Sequence, residues 1–178
     1  DPDSSDIDLL VVTSSQIAAV EFDALRAMHR DFAHDNPEWE DRIDAVYLPV
    51  AALRTFRSEK NPIVISPGEP FHMREGEALR DWLQNWYIVR ENGLALFGPP
   101  PKTVIPQITQ DEFAEAIRRY VAEVSGWIGH ERNRKSQAYA ILTLCRALHV
   151  HRTGKQVSKR QAALWAQEEF PEWSRLIQ

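Results

Sequence analysis

Two kinds of hydrophobic pattern divide this chain. Near its start, Ser5-Asp6-Ile7-Asp8-Leu9-Leu10-Val11-Val12 sets two carboxylates ahead of an unbroken apolar run, the pattern of a strand that leaves a loop and enters a core. Ser14-Ser15 then offer cap chemistry, and Ile17, Val20, Leu25, Met28 and Phe32 recur at near-helical spacing through about His34, which predicts an amphipathic helix. Asn36-Pro37 breaks the period. Arg42-Ile43-Asp44-Ala45-Val46-Tyr47-Leu48-Pro49 predicts a second strand, stopped by Pro49. Strand, helix and strand in that order fit a crossover unit, with both strands in one sheet and the helix on its face.

From Ala51 to Met73 the prolines at 62, 67 and 70 and Gly68 interrupt any period, and Ile63-Val64-Ile65 is either a short strand or a buried loop. Between Glu75 and Arg90 a stripe of Leu79, Trp82, Leu83, Trp86 and Val89 predicts a helix ended by Gly93 in the C′ position, its tryptophans read as core. Leu94-Ala95-Leu96-Phe97 predicts a short strand, closed by the stiff run Gly98-Pro99-Pro100-Pro101. Beyond it the period is helical throughout. Thr109-Gln110-Asp111-Glu112 is a capping box opening a helix with Phe113, Ile117, Tyr120, Val121 and Val124 inside. A second helix from about Lys135 to Arg152 is expected to bury Ala138, Ile141, Leu142, Cys145 and Leu148 and to end at Gly154. Ser158-Lys159-Arg160-Gln161 opens a third, with Ala162, Trp165, Ala166 and Phe170 inside, and Pro171-Glu172-Trp173 begins a fourth.

Composition narrows the class. The 178 residues, 43% of them hydrophobic, suffice for one good core or two small ones. A net charge of -5 argues against a protein whose main work is gripping nucleic acid and mildly favours a cationic small-molecule partner. Cys145 alone allows no internal disulfide, and the sequence carries neither a signal-peptide pattern nor an apolar span, so a cytoplasmic location away from membranes is expected.

The chemistry lies in the acids. Strand side chains alternate, so Asp6 and Asp8 point the same way and repel each other. Mg²⁺ is the usual remedy, because it takes hard oxygen ligands, keeps several waters and commonly binds one or two carboxylates plus substrate phosphates. A solvated strand end is the plainer alternative. Asp44 is the single acid of the second strand; among apolar neighbours it needs a cation, a donor or water at the sheet's rim.

Asp3-Ser4-Ser5-Asp6-Ile7-Asp8-Leu9-Leu10-Val11 resembles the second half of the signature of the DNA polymerase beta-like nucleotidyltransferase superfamily. The first half, a Gly-Ser pair whose helix N-terminus would cradle a triphosphate, is missing, so the chain is expected to have lost its beginning; its carboxyl end is expected to be cut short as well. The words Ile43-Asp44-Ala45-Val46-Tyr47-Leu48-Pro49, Trp86-Tyr87-Ile88-Val89-Arg90-Glu91-Asn92-Gly93 and Gly98-Pro99 are similar to the branch that adenylylates the aminoglycosides streptomycin and spectinomycin. The resemblance implies an α+β fold: a mixed-sheet nucleotidyltransferase domain over 1–98, incomplete at its N-terminus, a proline-rich linker at 99–108 and an α-helical bundle domain over 109–178. It implies antibiotic resistance by transfer of AMP from ATP to an acceptor hydroxyl, with Asp6 and Asp8 as Mg²⁺ ligands. That branch usually has Glu where this chain has Asp44, one methylene shorter, which is either the catalytic base or a third metal ligand.

Thr153-Gly154-Lys155, Ser158-Lys159, Ala162-Ala163 and Trp165-Ala166 resemble the same branch's helical domain. A cation in the first turn of a helix opposes the dipole by a few tenths to about 1 kcal/mol, and a bound anion would reverse that sign. The resemblance implies that Lys159 reaches the nucleotide phosphates across the cleft between the domains, and Ser5 and Lys159 are the nucleotide-binding positions that carry over. A solvated surface lysine is the alternative. The segment that reads the drug departs from the pattern: Arg132, Arg134, Lys135, Ser136 and Gln137 should repel a cationic antibiotic. Either Glu131 or an acid from 69–81 does the reading, or the acceptor is not streptomycin or spectinomycin. His149 and His151 face different ways on one helix and suggest no metal site. Two further readings stay open: a noncatalytic partner-docking module of the same fold, and a nucleotidyltransferase acting on protein or RNA.

Overall fold

The computed structural model describes residues 6–40, 42–66, 71–130 and 133–177. The chain divides into two compact units, Asp1–Gln107 and Ile108–Gln178. No helix among the described residues is long and apolar enough to cross a membrane.

In the first unit, strand β1 (Ile7–Thr13) pairs in parallel with β2 (Ile43–Pro49), and helix α1 (Ala19–Asp35) supplies the crossover between them. A short helix α2 (Val50–Thr55) follows β2, and strands β3 (Lys60–Ser66) and β4 (His72–Ala78) continue the sheet antiparallel, in the order β1-β2-β3-β4, so the sheet is mixed. The face of α1 laid on the sheet consists of Phe22, Leu25 and His29, which with Ile17 and Phe71 pack against Leu9, Val11, Ala45 and Tyr47. Val20, Met28 and Phe32, expected on that face, are exposed at 76%, 51% and 44%. Phe22 and His29 set the helix phase, because their rings meet Phe71 at 5.0 and 5.1 Å and His29 Nε2 lies 2.6 Å from the Tyr47 hydroxyl.

Local chemistry settles an open reading at 63–65 and departs from the expected pattern at several other places. Ser14-Ser15 form a bend rather than the cap of α1; the Glu21 carboxylate accepts from the Ala18 N–H at 2.7 Å instead. Ile63-Val64-Ile65 is strand, and Pro62, which cannot donate to a ladder, sits at a bulge: Asn61 pairs with Glu77 and Ile63 with Arg74, leaving Glu75 and Gly76 opposite one residue. Gly76 supplies the left-handed backbone this requires, with φ 65°. The helix expected from Glu75 therefore starts later: β4 runs through Ala78, a 3₁₀ turn covers Leu79–Trp82, and α3 spans Leu83–Asn92. Sheet pairing claims residues 75–78, ahead of the stripe, and the stripe holds from Leu79 onward.

Trp86 is 2% exposed and its indole N–H donates to the Leu79 carbonyl at 2.8 Å, while Trp82 stacks on it at 5.8 Å. Both tryptophans belong to structure, as their spacing predicts. Gly93 closes α3 with an ordinary φ of −65°, so the left-handed C′ reading fails; a Cβ there would run into the Val89 carbonyl, which the Gly93 N–H already occupies at 2.8 Å. Residues 94–97 form no strand, and Phe97 is fully exposed. A short helix α4 (Pro101–Val104) follows the prolines.

The second unit is helical. Helix α5 (Gln110–Ile128) opens on the expected capping box, with Glu112 accepting from the Thr109 N–H at 2.8 Å and Thr109 Oγ1 from the Glu112 N–H at 3.2 Å. Asn133 caps α6 (Arg134–Thr153), which ends on Gly154 at φ 67°. Ser158 and Gln161 cap each other's backbone at the start of α7 (Lys159–Glu169), and α8 (Ser174–Ile177) completes the unit. Cys145, Ala162 and Ala166 form a core with Ile141, Val157, Trp165 and Phe170 around it. Ala138 and Leu148, expected inside, are exposed; Leu148 lines an apolar cleft of about 490 Å³ with Ile117, Val121 and Leu144. Alanines at 140 and 147 take the buried face because small side chains permit close helix packing there.

Candidate active site

The parallel ladder sets Asp8 and Asp44 directly opposite each other, one on each strand. Neighbouring strands are about 4.8 Å apart and paired side chains share a face, so these two carboxylates are immediate neighbours. Alternation explains which face. Leu9 and Val11 turn toward α1 together with Ala45 and Tyr47, which leaves Asp8 and Asp44 on the opposite side of the sheet. Asp6, just ahead of β1, is exposed, and β1 is tied down at its start by an Ile7 N–H bond to the Arg42 carbonyl at 2.8 Å.

Electrostatics bind the three acids together. The Asp44 carboxyl is pushed above its ordinary value, first by burial and then by the negative charges of Asp8 and Asp6. Both other acids are therefore close enough to act on it. A cation would relieve that repulsion, and hard carboxylate oxygens of this kind suit Mg²⁺, which completes its shell with water and phosphate oxygens. Among the described residues no group of three metal-ligating side chains forms a ready ion cage. The donor set fits an ion held by one or two protein carboxylates and by its substrate.

The remaining expected site residues fall elsewhere. Ser5, Glu131 and Arg132 lie outside the described residues. Lys159 belongs to the second unit, at the first position of α7, with its ammonium 4.1 Å from the ring centroid of Tyr139. That aromatic partner had no sequence signal, because a contact between successive helices leaves no local spacing to read. His149 is engaged by the chain itself, its Nδ1 lying 2.9 Å from the Lys155 carbonyl and its ring edge-on to Trp165 at 5.0 Å.

Comparison with known proteins bears on both units. Residues 103–178 match the family described as aminoglycoside adenylyltransferase, C-terminal domain. Comparison with curated proteins gives no match. Among solved structures the chain is similar to spectinomycin adenyltransferase AAD(9) from Enterococcus faecialis, a crystal structure with ATP and spectinomycin. The TM-score is 0.70 at 17% identity, over 97% of this chain and 72% of that one. At that identity the likeness is one of fold, an α+β architecture that is mostly helical with a small sheet. Residues 103–178 thus match an aminoglycoside adenylyltransferase C-terminal domain and the chain shares its fold with a spectinomycin adenyltransferase, which supports the resemblance its motifs carry to the aminoglycoside adenylyltransferase-like branch.

Proposed function

We propose that this protein is a Mg²⁺-dependent adenylyltransferase that moves AMP from ATP onto a hydroxyl of a small, aminoglycoside-like acceptor. The observation that carries the reading is the opposition of Asp8 and Asp44 on adjacent parallel strands, with Asp6 acting on the same point. In the reaction the acceptor oxygen forms a bond to the α-phosphorus, the bond to the bridging oxygen breaks, and pyrophosphate leaves. Mg²⁺, when bound with the triphosphate, supplies charge neutralisation at the α-phosphate and the leaving group. Asp6 and Asp8 hold and orient that assembly. Asp44, whose carboxyl is held above its ordinary value, either takes the proton of the acceptor hydroxyl or adds a third anionic ligand. Lys159 supplies a cation to the phosphates, as its resemblance implies. Catalysis of this type is mostly positioning and charge stabilisation.

The mixed sheet in the first unit and the helical second unit are read as a nucleotidyltransferase domain followed by a helical domain, joined across residues 99–108. The solved relative's ATP and spectinomycin support a nucleotide and a polycyclic small-molecule acceptor as partners, and the cytoplasm supplies ATP and Mg²⁺ together. The test is transfer from α-labelled ATP in the full-length protein, offered aminoglycosides, spectinomycin, protein and tRNA in parallel. Label on an aminoglycoside-like compound supports the reading. Label on protein or tRNA alone redirects it to a macromolecular acceptor, and no MgATP binding by calorimetry reduces the fold to a docking module.

A further inference from the structure

Lys159 is held more firmly than a first-turn lysine needs to be. Its backbone is fixed by the reciprocal Ser158–Gln161 cap, with bonds of 3.1 Å in each direction. The turn that delivers it is fixed by left-handed Gly154 and by the His149 bond to the Lys155 carbonyl. Its ammonium lies 4.1 Å above the ring of Tyr139 on α6. Tyr139 in turn neighbours Tyr120 on α5, whose hydroxyl is pushed upward first by burial and then by the Tyr139 side chain. The ammonium from α7 thus rests on a ring from α6, and that ring neighbours a side chain of α5.

We propose that Tyr139 is a positioning residue: its ring holds the Lys159 ammonium in place for a phosphate group, and Tyr120 holds the ring. The inference rests on the reading of Lys159 as a phosphate-binding cation and names the groups that act through it. A lysine in the first turn of α7 is repelled by the helix dipole, and the negative face of an aromatic ring offsets that repulsion. A carboxylate partner would do the same but would consume the charge and the N–H donors. A ring uses neither, so the donors turned away from Tyr139 stay available to an anion. Finally, a lysine stem has four rotatable bonds, and restraining them before the ligand arrives removes part of the ordering cost of binding. Tyr139 is 48% exposed, so its ring is a surface support rather than a core element.

The experiment compares the full-length wild type with Lys159→Ala, Tyr139→Leu and Tyr139→Phe. MgATP affinity is measured by calorimetry, and the lysine ε-methylene resonances are observed by NMR after selective ¹³C labelling. The wild type should show the Lys159 ε-methylene shifted upfield by the ring, a shift kept in Tyr139→Phe and lost in Tyr139→Leu. Lys159→Ala should weaken MgATP binding. Tyr139→Leu should weaken it by about three- to tenfold, and Tyr139→Phe should recover most of the loss. Native affinity in Tyr139→Leu beside a weakened Lys159→Ala, or an unshifted Lys159 resonance in the wild type, overturns the positioning role and leaves Lys159 as phosphate ligand. Native affinity in Lys159→Ala overturns the reading of Lys159 itself, and the role of Tyr139 with it.

Discussion

Asp8 on β1 and Asp44 on β2 are register partners in a parallel ladder, and the crossover helix between them is what brings two distant carboxylates side by side. Their mutual repulsion, sharpened by Asp6, is a local cost that the fold carries at one rim of the sheet.

Asp8→Asn should reduce adenylyl transfer by at least about a hundredfold, the order of loss seen when one preorganised charge-stabilising group is removed. The side chain is exposed and the substitution nearly isosteric, so the thermal unfolding midpoint should stay within a degree or two of wild type. Transfer assays and circular dichroism melts on the same preparation check both halves.

Asp44 predicts a pH dependence of the opposite sign to the usual carboxylate. Because its folded-state value is raised, the folded protein holds that proton to higher pH than the unfolded chain, and stability falls as pH climbs from about 3.8 through the folded value. Asp44→Asn should remove that fall. Mg²⁺ would relieve the same repulsion among the acids, so millimolar Mg²⁺ should raise the melting temperature at pH 7 in wild type and less in Asp44→Asn. Scanning calorimetry with and without Mg²⁺ reads this directly.

Burial without charge holds the His29 imidazole below its ordinary 6.5, and it is bonded to Tyr47 across the α1 interface. A depressed imidazole contributes stability that is fully present above about pH 6.5 and lost as pH falls through its folded value. Urea midpoints taken between pH 5 and 7.5 should slope upward in wild type and flatten in His29→Gln.

Trp86→Ala should cost about 3–5 kcal/mol, through the cavity it leaves and the Leu79 carbonyl it strands. Trp86→Phe should recover most of the packing while still losing the indole bond. Denaturant unfolding of both variants separates the two contributions.

The strand, helix and strand of the first half were legible because their hydrophobic periods are clean and Pro49 marks a hard stop. So were the caps at Thr109 and Ser158, whose partners sit three residues away and whose bonds are local. What the sequence hides is non-local. The period on α1 names Val20, Met28 and Phe32 as readily as Phe22 and His29, and only the position of Phe71 and Tyr47 decides between them. Strand β3 is masked by Pro62, and the first residues of the 75–90 segment, ahead of its stripe, are drawn into β4 by ladder pairing that no local spacing encodes. At the site, the nearness of Asp44 to Asp8 follows once a crossover is assumed. The ring beneath Lys159 could not be foreseen, since Tyr139 and Lys159 meet only through the packing of α6 and α7.

The bulge at Pro62 and Gly76 acts as a latch on lateral sliding. A ladder interrupted by one unmatched residue fits its neighbour in a single offset, so β4 locks β3, and β3 is hydrogen-bonded to the strand that carries Asp44. A glycine on the outermost strand, far along the chain from Asp44, thereby fixes the offset of the hairpin against which the Asp44 strand is hydrogen-bonded.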